Sequence, residues 1–314
     1  LLVGLGVRFD DRATGDVARF APDATIAHVD IDPSSIGRNV EVDIPVVGDL
    51  RTVLDDLLPL LPPYPEAGRL GPWLAEIEEF KKLESDFASR ESKDEAGLPS
   101  PREVLATMRD VFPDSVVATE VGQNQMWAAQ YVAFSSSRRW LTSGGLGTMG
   151  YGFPAAMGAQ AADPDRPVLV VAGDGSFQMN IQELATCVQE GLPVVVLVLN
   201  NGYLGMVRQW QELFYKRRYS STCSQAQASC PRGCNTPGEH CPPYMPDFAG
   251  IAKAYGALGF KTETLAQLKV AAMTARDSRR PAVIDCRISR EANVWPIVPP
   301  GKGNDQMLYE GVSV

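Results

Sequence analysis

The sequence predicts an α/β protein with a doubly wound parallel sheet, and three observations carry that expectation. Two unbroken apolar runs, residues 168–172 and 194–199, have the length and composition of strands buried on both faces. Each run stops at a small polar cluster, Gly173-Asp174-Gly175-Ser176 and Asn200-Asn201, at the carboxyl strand end where such sheets bind ligands. A helical pattern lies between them, so strand, helix and parallel strand follow in order.

The residue types at the two strand ends suit an ion and a phosphate. Gly173 and Gly175 allow a close backbone approach that a Cβ would block, so their amides can meet phosphate oxygens. Asp174 supplies a hard anionic oxygen and Asn201 a neutral one. Magnesium bridging protein and phosphate takes one or two carboxylates, with neutral oxygens and water completing its shell. Taken singly, a glycine turn and an Asn-rich loop fit the same letters; the pairing of the two elements points to the cation.

At 314 residues, 45% of them hydrophobic, the chain has room for about two domains with sizeable cores. A net charge of −9 argues against a nucleic-acid footprint, which needs clustered Lys and Arg, and favours small-molecule partners. No apolar window is long enough to span a bilayer. The chain opens in what reads as a buried strand, LLVGLGV, so a fragment is expected. Its placement is expected to be cytoplasmic, with any upstream targeting segment left open.

Along the chain, residues 1–62 read as strand, loop, strand, loop, helix, the closing half of an α/β domain. Acidic strand ends at Asp30-Ile31-Asp32 suit a ribose or adenosine, and solvation of a loop accounts for them equally well. Residues 63–99 shift to Pro, Glu and Lys and read as a linker with one surface helix. Ser100-Pro101-Arg102-Glu103 has the cap and first-turn proline of a helix start. It opens a second domain over 100–290. There, a strand ends in the loop Gly122-Gln123-Asn124-Gln125-Met126-Trp127, and a glycine-rich loop, residues 143–152, leads into a small-residue helix.

Met206, Val207 and Trp210 share one face of a helix over 203–215. A core stripe is the ordinary reading of such a face, and a border to the ion site is the other. Cys187 and Cys286 read as small buried thiols. Cys223, Cys230, Cys234 and Cys241 crowd into a Pro-rich segment, 221–245, with His240 beside the last. Disulfides, a solvated thiol loop and a structural zinc or iron-sulfur site all fit that spacing. The segment is expected to be an insertion outside the chemistry. The tail, 291–314, holds too much Pro and Gly for a regular element.

GDGS followed by Asn200-Asn201 resembles the thiamine diphosphate signature. Together with GVRFDDR, GQNQMWAAQ, SGGLGTMGYG and NGYLGMVRQWQ, it resembles the catalytic subunits of the acetohydroxyacid synthase (acetolactate synthase) family. The resemblance implies a thiamine diphosphate-binding fold preceded by part of a flavin-binding domain. It implies thiamine diphosphate, Mg2+ and FAD as cofactors. The implied reaction is decarboxylation of pyruvate and joining of its two-carbon unit to a second pyruvate or 2-oxobutanoate, in branched-chain amino-acid biosynthesis. A homodimer or larger assembly and a small regulatory subunit are the implied partners.

Residue by residue, the resemblance implies Asp174, Asn201 and the Tyr203 carbonyl as magnesium ligands. Gly122, Gln123, Asn124, Gly173, Gly175 and Ser176 would hold the diphosphate, with Gly147, Leu204 and Gly205 also at the cofactor and Met149 as the wedge that bends it. Asn124 stands where the family usually has His and cannot carry its charge. Met206 and Trp210 would line the substrate pocket, and Arg12 would meet a substrate carboxylate, although an exposed ion pair suits Arg12 as well. Arg8, Asp30, Ile31 and Asp49 would touch FAD. The tail would cover the active site. The family's activating glutamate lies on an amino-terminal domain absent before Leu1, and neither Glu120 nor Glu183 takes its place. A related decarboxylase or oxidase, such as glyoxylate carboligase or pyruvate oxidase, and a noncatalytic cofactor-binding fragment are the alternatives.

Overall fold

The computed structural model describes residues 1–62, 68, 70–89, 97–134, 136–231, 234, 241–242 and 245–309. Two compact units emerge, Leu1–Glu91 with Trp295–Val314, and Ser92–Val294. The division falls inside the expected linker, of which residues 63–67, 69 and 90–96 lie outside the described ones.

In the first unit, β1 (Leu2–Leu5), β2 (Ile26–Asp30) and β3 (Ile44–Val47) form a parallel sheet in that order. A one-turn helix, α1 (Asp11–Thr14), follows β1, with the Asp10 carboxylate accepting from the Ala13 N–H. Asp49 caps α2 (Leu50–Leu57) by accepting from Arg51 and Thr52, and α3 (Gly71–Ser89) is the expected surface helix. The strand β3 falls in a stretch expected as loop. Its four residues include Pro45, which has no N–H to donate and therefore suits an edge. Phe9, Ile26 and Val40 make a small core, with the Phe9 ring edge-on to His28 at 5.0 Å. The tail from Trp295 on belongs to this unit, its first residues, 291–294, to the other: Gly303 bridges Gly15, Ile297 bridges Leu308, and Arg19 pairs with Asp305.

In the second unit, Ser100 and Glu103 form a reciprocal capping box that starts α4 (Pro101–Val111) as expected. Then come β4 (Val116–Thr119), α5 (Gln123–Tyr131), β5 (Trp140–Leu141), α6 (Gly152–Ala162), β6 (Val168–Gly173), α7 (Asp174–Phe177) and α8 (Leu184–Gln189). After them come β7 (Val195–Asn200), α9 (Gly205–Phe214), α10 (Phe248–Ala254), β8 (Leu258–Thr262), α11 (Leu265–Ser278) and β9 (Ala282–Arg287). The six strands are ordered β5-β4-β6-β7-β9-β8, and every pairing is parallel.

Alternate residues of each strand feed opposite cores, as the period of a pleated strand requires. Val117, Leu169, Leu197 and Ile284 pack under α4, α5 and α11; Ala118, Val170, Val196 and Val283 pack under α6, α8 and α10. Burying each larger aliphatic side chain contributes roughly 1.5–3 kcal/mol, so the central strands anchor the loops at their carboxyl ends. Cys187 and Cys286 lie in these cores as expected, and burial pushes their thiols up to about 12 and about 11.

The strand order locates the site. From β4 the chain moves outward to β5 and then returns to β6 on the other side of β4. A crevice opens where winding reverses, beyond the carboxyl ends of β4 and β6. Two local expectations change. Residues 123–127, expected as loop, are the first turns of α5, and the helical stretch after GDGS is broken into α7, a 3-10 turn (Ile181–Glu183) and α8. Among the described residues no helix is long and apolar enough to cross a membrane.

Candidate active site

The switch-point loops meet through Asn124. Gly122, at φ +128°, turns the chain from β4 into α5, and one turn on, Asn124 Nδ2 donates to the Val121 carbonyl at 3.3 Å. A Cβ on Gly173 would lie 3.0 Å from that nitrogen, so glycine at the end of β6 lets the two loops close together. Asn124 Oδ1 is buried and has no hydrogen-bond partner among the described residues.

Asp174 is 1% exposed. Burial pushes its carboxyl up to about 7, against a hydrogen bond from Ser224 and in the same direction as the nearby Asp285 charge. Its Oδ2 is buried without a partner among the described residues. Ser176 does not reach outward: its hydroxyl accepts from the Gly173 N–H at 3.1 Å and closes the turn.

Asn201 follows β7, which pairs with β6 in register from Leu169↔Val195 to Gly173↔Leu199. Its Oδ1 accepts from the Tyr203 N–H at 3.0 Å, and its Nδ2 donates to Gln123 Oε1 at 3.2 Å. Gln123 Nε2 donates to Gln209 Oε1 at 2.9 Å and to the Ala292 carbonyl at 3.0 Å. Gln209 is held by both polar backbone groups of Val294, each at 2.9 Å. Both amide hydrogens of Gln123 are therefore engaged with protein. What it offers a ligand is its backbone N–H, one of the unbonded amides in the first turn of α5.

Gln209 and Arg208 were not legible in the sequence as site-supporting residues. Both are fully buried on α9, whereas Val207 and Trp210 are 45% and 39% exposed. The helix thus turns polar groups inward and apolar ones outward, against the core-stripe reading. Arg208 pairs with Glu212 at 2.6 Å and donates to the Ala292 carbonyl at 3.0 Å, which offsets the cost of burying its charge.

The cysteine segment is not wholly apart from the chemistry. Cys223 forms an antiparallel bridge with Tyr203, through Leu204 N–H to Thr222 carbonyl at 2.8 Å and Ser224 N–H to Gly202 carbonyl at 2.9 Å. Ser224 is also close enough to Asp174 to pull its carboxyl down, so residues 222–224 pair with the loop after β7 and lie near the end of β6. Arg290 donates to Cys223 Sγ at 3.8 Å and lies 4.9 Å from the Tyr203 ring centre. No disulfide forms among the described residues, and no three His, Cys, Asp or Glu side chains among them make a metal group. Of the three readings of the segment, neither disulfides nor a zinc or iron-sulfur site at Cys223, Cys230, Cys234 and Cys241 is found among the described residues; His240 lies outside them.

The glycine loop comes within reach of GDGS. A Cβ on Gly175 would lie 2.4 Å from Leu204 Cδ2 and 3.8 Å from Met149 Cε, so Met149, Gly175 and Leu204 face one another. Gly147, at φ +75°, passes close to Val121. Gly205 packs so tightly on Gln123 Oε1 and Asn201 Nδ2 that no side chain fits there. Met206 is half-buried on α9 beside these residues in sequence.

The remaining expected residues lie in the first unit. Arg8 pairs with Asp10 at 2.5 Å and Arg12 with Asp11 at 2.9 Å, both largely exposed. Asp30 Oδ1 accepts from Asp32 N–H at 2.9 Å, Asp49 caps α2, and Ile31 is exposed.

The sheet order and these loops define a class. The family model for the C-terminal TPP binding domain of thiamine pyrophosphate enzymes matches residues 120–286, and that for their central domain matches residues 1–57. The chain belongs to the thiamine pyrophosphate enzymes. Within that class it is similar to the acetolactate synthase large subunit of Corynebacterium glutamicum, 43% identical over 98% of this chain and 47% of the relative. Similar too are the acetolactate synthase of Mycobacterium leprae, 42% identical over 98% and 47%, and the large subunit of Parasynechococcus marenigrum, 43% over 98% and 46%. The chain thus spans about half the length of these relatives.

Proposed function

We propose that the chain is the carboxyl-terminal part of an acetolactate synthase large subunit, carrying its thiamine diphosphate site. One observation bears most of this reading: the buried Asp174 Oδ2 has no partner among the described residues, beside a loop that offers further oxygens. A desolvated carboxylate without a partner is costly, and a divalent cation would remove that cost. Asp174, Asn201 Oδ1 and the Tyr203 carbonyl are hard oxygens of the kind magnesium takes. The chemistry of this donor set therefore fits the ion.

The diphosphate would meet the backbone amides of Gln123 and Asn124 at the start of α5 and that of Gly175, while Gly173, whose own N–H is held by Ser176, would give the close approach that a Cβ would block. Met149, opposite Gly175, would support the bent cofactor. When bound, thiamine diphosphate supplies the electron sink for decarboxylating a 2-oxo acid. The protein's own part is to hold the diphosphate end and to exclude water with Leu204, Met206 and Trp210. Arg12, in the first unit, would meet a 2-oxo acid carboxylate. FAD would lie at the carboxyl ends of β1, β2 and β3, near Arg8, Asp30, Ile31 and Asp49. A homo-oligomer and a regulatory subunit complete the proposed assembly.

Product analysis of the full-length protein with pyruvate, thiamine diphosphate and Mg2+ tests the reading. Acetolactate is expected. Acetaldehyde or acetyl phosphate from pyruvate, or tartronate semialdehyde from glyoxylate, would assign the site to another member of the class.

A further inference from the structure

Glu120 is a buried, titratable group that the proposed chemistry does not use. It is 0% exposed at the end of β4. Its Oε2 accepts from the Gly150 N–H at 2.6 Å and its Oε1 from the Phe153 N–H at 3.0 Å. Burial pushes its carboxyl up, while backbone donors at Phe153, Gly150 and Gly152 pull it down. An anion at the amino end of α6 also meets that helix's dipole.

The other side of Gly150 is held as well. Asn180 Nδ2 donates to its carbonyl, and a Cβ at Gly150, φ +92°, would lie 2.9 Å from both Asn180 Nδ2 and Met179 Cβ. Both polar backbone groups of the residue after Met149 are thus fixed by side chains from separate elements. The Met149 side chain meanwhile comes within contact distance of the Gly175 position. A flexible methionine on a glycine-rich loop would otherwise lose considerable freedom on ordering.

We infer that Glu120 is a positioning residue: it clamps Gly150 and so presets Met149 for the bent cofactor before the cofactor arrives. The inference rests on the thiamine diphosphate site proposed above. It assigns Glu120 no proton transfer.

The test uses thiamine diphosphate titrations of the full-length protein with Mg2+, comparing the unmodified protein, Glu120→Gln, Met149→Ala and the double variant. Glutamine keeps the shape but turns one acceptor into a donor, leaving a buried N–H of Gly150 or Phe153 unsatisfied. The Kd for thiamine diphosphate is expected to rise at least tenfold in Glu120→Gln. In the Met149→Ala background the same change should have a much smaller effect, because contacting residues on one path are not additive. A melting-temperature loss in Glu120→Gln with unchanged Kd, or equal effects in both backgrounds, would overturn the inference. If Glu120→Gln does not fold, Asn180→Ala, which releases the carbonyl side of Gly150, replaces it in the same cycle with the same criteria. No cofactor binding by the unmodified protein would instead defeat the site itself.

Discussion

Asn201 donates its side-chain amide to Gln123 Oε1 at 3.2 Å, and that bond fixes which way the Asn201 amide faces. Nδ2 points at Gln123, so Oδ1 turns toward the Tyr203 side of the loop, where it accepts a backbone N–H. A neutral residue becomes a directed oxygen because a buried neighbour occupies its nitrogen.

The relay behind that bond is testable at a distance from the ion. Gln209→Ala removes the acceptor for Gln123 and leaves the Val294 backbone groups unmatched. The expected outcomes are a stability loss of about 1–3 kcal/mol in denaturant unfolding and roughly tenfold weaker Mg2+ binding by calorimetry. Unaltered Mg2+ affinity would show that Gln209 only packs.

Proton linkage should reveal Asp174. Its folded, metal-free carboxyl is raised to about 7, above the ordinary unfolded value of about 3.9. The metal-free fold therefore holds this proton more tightly than the unfolded chain, and its stability falls as pH rises from about 4 through about 7. Mg2+ needs the ionised form, so binding at pH 6 should release close to one proton per site, and binding at pH 8.5 almost none. Calorimetry in buffers of different ionisation enthalpy measures this directly; equal proton release at both pH values would speak against Asp174 as ligand.

Two glycines of α6 should respond to alanine in opposite directions. A Cβ on Gly152 would lie 2.6–2.7 Å from backbone atoms of Thr119 and Glu120, whereas around Gly158 there is open space. Gly152→Ala is expected to cost about 1–3 kcal/mol by overpacking, and Gly158→Ala to stabilise by about 0.5–1 kcal/mol through helix propensity. Urea melts of the two variants check the sign of each.

Trp210 is 39% exposed on the outward face of α9. As a proposed wall of the acceptor pocket, Trp210 should set how 2-oxobutanoate competes with pyruvate, and Trp210→Leu is expected to shift that ratio toward pyruvate about tenfold, within the roughly 1–3 kcal/mol that one methylene commands. Competition between the two acceptors, read as a product ratio, decides it.

Strands whose burial is continuous were readable from the sequence. The runs before Asp174 and Asn201 are β6 and β7, adjacent and parallel, because only a two-sided core explains unbroken Val and Leu. The Ser100 cap was readable for a local reason, since its two partners lie three residues apart. Strand β3 was not, because four residues with a proline carry no period. Nor were Gln209 and Glu120, whose roles depend on partners thirty or more residues away or on which face of a helix turns inward. Ser224 was hidden for the same reason: nothing in a cysteine-rich segment announces that its first residues pair with the loop after β7.

Cation binding by the full-length protein and by Asp174→Ala, measured with Mg2+ or paramagnetic Mn2+ in the presence of thiamine diphosphate, tests the central claim most directly. One site per chain in the unmodified protein and none in the folded variant is the predicted result. Equal binding by both proteins would contradict it.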